Sequence, residues 1–174
     1  LKELLVKNSD AMSLEEAEFA IERLQEFPLL HQLMRICPLP DLQFEALFSS
    51  IRRLVLQNLG YFEVSEQLIY FLSTLALHCA VNEYVYAESD EEAYLVEKLE
   101  EKVKEAIQRS EQPNAVTILS LATYRRLYQY DWYREVDALS NLAEVKKSLI
   151  EEPYIEELIA RDIPSLEIIS DDTS

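Results

Sequence analysis

His78 and Cys79 are adjacent ligand-type side chains. On a helix neighbouring residues point about 100° apart, too far round the axis for both to meet one metal ion unaided. His31 and Cys37 flank proline-broken sequence and could converge. With two histidines, two cysteines and no C-x-x-C, H-x-x-x-H or E-x-x-H spacing, the chain lacks the ligand patterns of structural and catalytic transition-metal sites. These four residues read as packing groups with local hydrogen bonds, and no metal is expected.

Asn82-Glu83-Tyr84 ends the most apolar stretch of the chain, where an unpaired amide or carboxylate is expensive to bury. Glu83 has two readings. It is a general acid or base, or a carboxylate for a ligand cation; or it is a structural anion paired with Arg52 or Arg53, the preferred reading. His78, Asn82 and Glu83 are therefore the candidate buried polar group. An enzyme working through Glu83 and His78 requires a pocket around both side chains.

Tyr124, Arg125, Arg126, Tyr128, Tyr130, Trp132, Tyr133 and Arg134 form the densest aromatic and basic cluster. Tyr, Trp and Arg dominate binding hot spots and also stack nucleobases. At helical spacing, Tyr124, Leu127 and Tyr128 make a core stripe with Arg125 and Arg126 in solvent. The candidate protein-contact residues are Tyr128, Tyr130, Trp132 and Arg134, and the partner is a protein or peptide. Asp90-Glu91-Glu92 has the look of an acidic metal motif of helical isoprenoid enzymes, but acids at the positive end of a helix dipole account for it more simply.

Gly60 is the single glycine in 174 residues. Phosphate-cradling loops, dinucleotide turns and nucleophile elbows use glycine where φ is positive or a ligand approaches closely, so such sites are not expected. No cofactor site and no catalytic residue are assigned to this chain. The 33 acidic residues against 16 basic ones give a net charge of −17, which repels nucleic acid and anionic lipid. No run of 18 uncharged apolar residues and no secretory signal pattern are present. Lone cysteines in apolar segments fit a reducing cytoplasm. A start at Leu1 and an end in Ser170-Asp171-Asp172-Thr173-Ser174 read as a cut within a longer polypeptide.

The expected fold is all-α: a single irregular bundle of about seven helices, occupying residues 1–164, with residues 165–174 as a tail or linker. Ser13-Leu14-Glu15-Glu16 and Ser89-Asp90-Glu91-Glu92 are capping boxes. The first opens a helix running to Pro28, and Pro38 and Pro40 break the chain after it. The second opens an amphipathic helix with Val96, Leu99, Val103 and Ala106 inward and Glu100 and Lys104 on the opposite face. Asp41 is an N-cap for a helix carrying Leu47, Ile51 and Val55, and Gly60 is its left-handed stop. From about 65 to 86 there is no wide polar face, which marks the central helix. Pro113 suits the first turn of the next helix. Further helices are expected from Trp132 to Leu149 and from Pro153 to near Asp162. No alternating stretch is long enough for a convincing strand, and no 34-residue repeat is visible.

Three segments carry a family resemblance. Pro40 to Leu56 is similar to an acid-capped, leucine- and arginine-rich helix. Phe71 to Tyr86 holds the core Cys79-x-x-Asn82-Glu83-Tyr84-Val85 followed by an acidic run. Glu152-Pro153 through Ile163-Pro164 to Ser174 resembles an interdomain link. Together they resemble the helical region that precedes the catalytic domain in bacterial tetratricopeptide-repeat, class I S-adenosylmethionine-dependent methyltransferase-like proteins. The resemblance implies a non-catalytic accessory domain that positions a substrate or docks against a catalytic domain. It places the methyl donor in an absent downstream glycine-rich α/β domain and transfers no catalytic residue. The alternative is a free-standing acidic adaptor that binds a basic protein or peptide.

Overall fold

The capping signals translate directly into helices in the computed structural model, which describes residues 12–162. α1 spans Leu14–Gln25 and opens with the expected box: Glu16 N–H donates to Ser13 Oγ at 3.3 Å, and Ser13 N–H donates to Glu16 Oε2 at 2.9 Å. α3 spans Leu42–Gln57, and Asp41 Oδ1 accepts from the amides of Gln43 and Phe44. α5 spans Asp90–Gln108 behind Ser89. α6 spans Ala115–Ala122, capped by Asn114, whose Oδ1 accepts from Thr117 N–H at 2.8 Å. Pro113 thus lies just before that helix rather than in its first turn.

α4, Glu66–Val81, is the centre of the bundle, packed against α1, α2 (Pro28–Ile36) and α6. Its residues 71–79 are all buried, and Phe71, Leu72 and Leu75 join Leu24, Met34, Phe48 and Ile51 in the core. Each such side chain contributes about 1.5–3 kcal/mol by leaving water. Among the described residues there is no strand, so the fold is all-α and consistent with a helical bundle. No helix among them is long and apolar enough to cross a membrane.

Several boundaries differ from expectation for identifiable reasons. α1 stops at Gln25, and Pro28, expected as a terminator, is the first residue of α2, Pro28–Ile36, where its missing N–H is harmless. The central helix ends at Val81 instead of 86. Glu83 N–H reaches Ala80 O at 3.0 Å and Tyr84 N–H reaches Cys79 O at 2.8 Å, with φ of 54° at Glu83 and 59° at Tyr84. That is a Schellman closure with glutamate where glycine is usual. α5 closes the same way around Ser110, φ 61°, through Ser110 N–H to Ile107 O and Glu111 N–H to Ala106 O. Gly60, by contrast, has no positive φ and is not a left-handed stop. Among the described residues the left-handed positions are Glu83, Tyr84 and Ser110, none of them glycine.

The helix expected from Trp132 is absent as far as Leu142: two 3-10 turns, Leu127–Gln129 and Tyr133–Glu135, precede α7, Ala143–Lys146. α7 runs without a break through a π-helical turn, Lys147–Glu151, into α8, Glu152–Asp162. Pro153 does not start a new helix. Its ring lacks an N–H and would strike the carbonyl of Leu149 in a regular α-turn, and a wider turn of five residues relieves that clash. The boundary expected at 164 and the tail 165–174 lie outside the described residues.

Candidate functional site

The buried polar groups are the first place to look for chemistry, and two networks stand out among them, although His31 Nδ1, Arg52 Nε, Ser73 Oγ and Ser120 Oγ make no hydrogen bond. His78, 0% exposed on α4, makes a 3.0 Å contact from Nδ1 to Met34 O. A carbonyl only accepts, so Nδ1 carries the proton. Nε2 then accepts from the Tyr86 hydroxyl at 2.7 Å and from the Asn82 amide at 3.0 Å. Burial lowers the His78 pKa, against a smaller raising effect of the Met34 bond. Protonation would turn Nε2 from acceptor to donor and break its match to the Asn82 amide. His31 is neutral for the same reason: buried, with its Nε2 donating to Leu24 O at 3.2 Å and its ring stacked on Tyr70.

The second network surrounds Arg52 on α3, 2% exposed. Its guanidinium lies 4.0 Å from the Tyr124 ring centroid, donates to Ala87 O at 2.8 Å, and sits 3.7 Å from Glu92 Oε1. Glu92 Oε1 also accepts from Tyr124 Oη–H at 2.9 Å, and Oε2 accepts from both Ser89 N–H and Ser89 Oγ–H. One carboxylate therefore caps α5 and neutralises the buried cation. Cys79 is fully buried nearby, and burial pushes its thiol up to about 12 despite the opposing influence of Arg52.

Of the expected buried polar trio, the structure joins His78 and Asn82 and leaves Glu83 apart and exposed. Of its two expected partners, Arg52 and Arg53, the first belongs to Glu92 instead. His31 and Cys37 do not converge; Cys37 Sγ–H donates to Leu33 O at 3.3 Å. No group of three or more His, Cys, Asp or Glu side chains among the described residues is placed to hold a metal ion.

The aromatic and basic segment is largely packed. Tyr124, Leu127, Tyr128 and Trp132 are buried, although they follow α6 on turns rather than sharing a helical stripe. Arg125, expected in solvent, grips Glu88 with two bonds of 2.7 and 2.8 Å; Arg126 is exposed, as expected. Tyr130 donates to Glu100 and stacks on Trp132 at 4.5 Å and 8°, beside Glu97 and Glu101 of α5. Glu100 thereby faces the turn segment. Arg134 lies outside over the rings of Tyr133 and Tyr154. The four candidate contact residues split: Tyr128 faces a cleft beside α8 and edges a smaller one there, Tyr130 and Trp132 line another, and Arg134 lines none of the three.

The cleft that Tyr128 faces has a volume of about 660 Å³ and is built from three of the irregular features of the fold. The left-handed turn at Glu83 and Tyr84 forms one wall, the 3-10 turn at Tyr128 and Gln129 the second, and the π turn leading into α8 the third. Val81, Tyr84, Tyr128, Leu149 and Pro153 supply apolar surface; Glu83, Arg126, Glu156 and Glu157 supply charge. Arg126 is held by Tyr128 Oη at 3.4 Å, and Glu157 pairs with Arg161, while burial pushes the Tyr84 phenol well above its ordinary range. Strained backbone and π turns both concentrate at functional sites. Glu83 and Tyr128 are candidates by residue type; Tyr84 and Arg126 stand in the same sequence clusters without an assigned role, and Glu156 stands in neither. The Asn82-Glu83-Tyr84 run without a glycine after an apolar helix was the available signal for a strained helix end.

No protein-family model, curated protein or solved structure matches this chain. The methyltransferase-associated resemblance therefore rests on its three sequence segments, the last of which extends outside the described residues.

Proposed function

We propose that this chain is a non-catalytic helical accessory domain of a bacterial S-adenosylmethionine-dependent methyltransferase, positioning a protein substrate or docking against the catalytic domain. The observation that carries the binding role is the cleft at the end of α4: apolar walls with charged groups at the rim are the surface chemistry of peptide capture. The buried titratable groups support a structural role for themselves, because His78 and Glu92 are saturated by Met34, Tyr86, Ser89 and Tyr124. The methyltransferase part of the reading comes from the sequence resemblance. Calorimetric titration of the chain with S-adenosylmethionine tests it: no saturable heat is expected, and micromolar binding would move the methyl-donor site into this domain and overturn the assignment.

The net charge of −17 favours a second reading, a free-standing adaptor for a basic protein or peptide. Salt separates the two. Affinity that collapses between about 20 and 200 mM salt favours the adaptor, whereas salt-insensitive apolar contact favours interdomain docking.

A further inference from the structure

The chemistry of the cleft wall specifies an occupant more narrowly than protein in general. Its apolar part is formed by two tyrosine rings, Leu149, Val81 and the Pro153 ring, a surface suited to one or two large aliphatic side chains. The charges around it are three carboxylates and one guanidinium. Glu157 is neutralised by Arg161, whereas Arg126 donates only to the neutral Tyr128 hydroxyl and keeps its charge, which Glu83 feels, leaving two carboxylates against one guanidinium. Glu83 and Glu156 are exposed on opposite walls, one on the left-handed turn and the other on α8. A ligand crossing the cleft thus meets a carboxylate, an apolar middle, and a second carboxylate. The overall charge of −17 reinforces this local sign.

We infer that the cleft between the Glu83–Tyr84 turn and α8 binds an extended peptide segment in which large aliphatic residues are flanked on both sides by lysine or arginine. The aliphatic side chains occupy the space between Tyr84, Tyr128 and Leu149, and the flanking cations pair with Glu83 and Glu156. The inference deepens the protein-binding role proposed above and rests on it; the occupant is a segment of a separate protein.

The test is an NMR titration of the isotope-labelled chain with a blocked hexapeptide of two central leucines flanked on each side by two lysines. Saturable shifts are expected at Val81, Tyr84, Gln129 and Ala160, with binding weakened about tenfold by Glu156→Lys and by Ala160→Arg. Both substitutions are at exposed helical positions, so the melting temperature serves as the check that the variants fold. A matched peptide with glycine replacing leucine is expected to bind at least tenfold more weakly, and so is one with glutamate replacing lysine. Absence of saturable shifts overturns the inference, as does equal binding of the glycine peptide. Shifts centred on Tyr130 and Trp132 and indifferent to Glu156→Lys overturn the cleft assignment while leaving a protein-binding role standing. Tight binding of S-adenosylmethionine would instead remove the accessory role itself.

Discussion

Exchanging serine for glycine at position 110, and glycine for alanine at position 60, should each stabilise this protein, although the first adds a glycine and the second removes the one it has. Ser110 is exposed at the closing turn of α5 with φ of 61°. An L-residue held there loses about 1–2 kcal/mol relative to right-handed backbone. Glycine removes that strain but brings about 0.5–1 kcal/mol of extra unfolded-state entropy. The net expectation for Ser110→Gly is a gain of about 0.5–1 kcal/mol. At Gly60 the arithmetic reverses, because φ is not positive and a Cβ added there meets nothing within 4 Å. Gly60→Ala should therefore gain about 0.4–1 kcal/mol from the unfolded state alone. In a chain of this size 1 kcal/mol moves the melting temperature by about 2–4 °C, within reach of calorimetry, and urea titrations should show shifted midpoints with unchanged slopes. The sites share no partner, so the double variant should be additive. A destabilised Ser110→Gly protein would refute the claim that Schellman strain is stored at that residue.

Three further outcomes follow from the buried groups. Arg52→Met should cost about 3–5 kcal/mol by leaving Glu92 unpaired in the interior, and Tyr124→Phe about 1.5–3 kcal/mol through one lost bond to a carboxylate; urea midpoints rank them, and a neutral Arg52→Met would sink the network. His31 and His78 both have pKa values lowered below 6.5 by burial, so their contribution is intact above pH 6.5 and declines below it, as the unfolded chain takes up protons that the folded chain excludes. Between pH 7.5 and 5.5 the urea midpoint should fall, the unfolding free energy dropping by at most about 1.4 kcal/mol per histidine per pH unit below 6.5, and a midpoint that rises on acidification would contradict the assignment. Cys79, with its thiol pushed up to about 12, should resist alkylation at pH 8 until the protein unfolds, while half-exposed Cys37 reacts in the native state; mass spectrometry of the labelled chain reads both.

What could be read in advance divides along the range of the interaction. Ser13, Asp41 and Ser89 announced their helices because capping involves atoms three residues apart. The end of α4 was not legible, since Tyr84 and Val85 prolong the apolar run past Val81 and no glycine marks the turn. Pro153 looked like a starting signal, because the sequence does not reveal that a π turn will carry the helix through it. The candidate cleft was harder still. Glu83 and Tyr128 stood out by residue type, but the walls come from residues 80–84, 126–129 and 149–160, brought together only by the packing of the π turn on α4 and on the first 3-10 turn. Glu83 was expected indoors on the assumption that the helix continued; the left-handed turn puts it outside.

The double role of Glu92 has a consequence for how this bundle opens. Helix ends ordinarily fray first, since their leading amides are held by little more than a cap. At α5 the cap is also the counter-charge of Arg52, so unwinding the first turn strands a cation between Tyr86 and Tyr124. The amides from Glu92 onward should consequently exchange with solvent deuterium only when α3 and α6 separate. The beginning of α5 is thus bolted to the concerted unfolding of the interior.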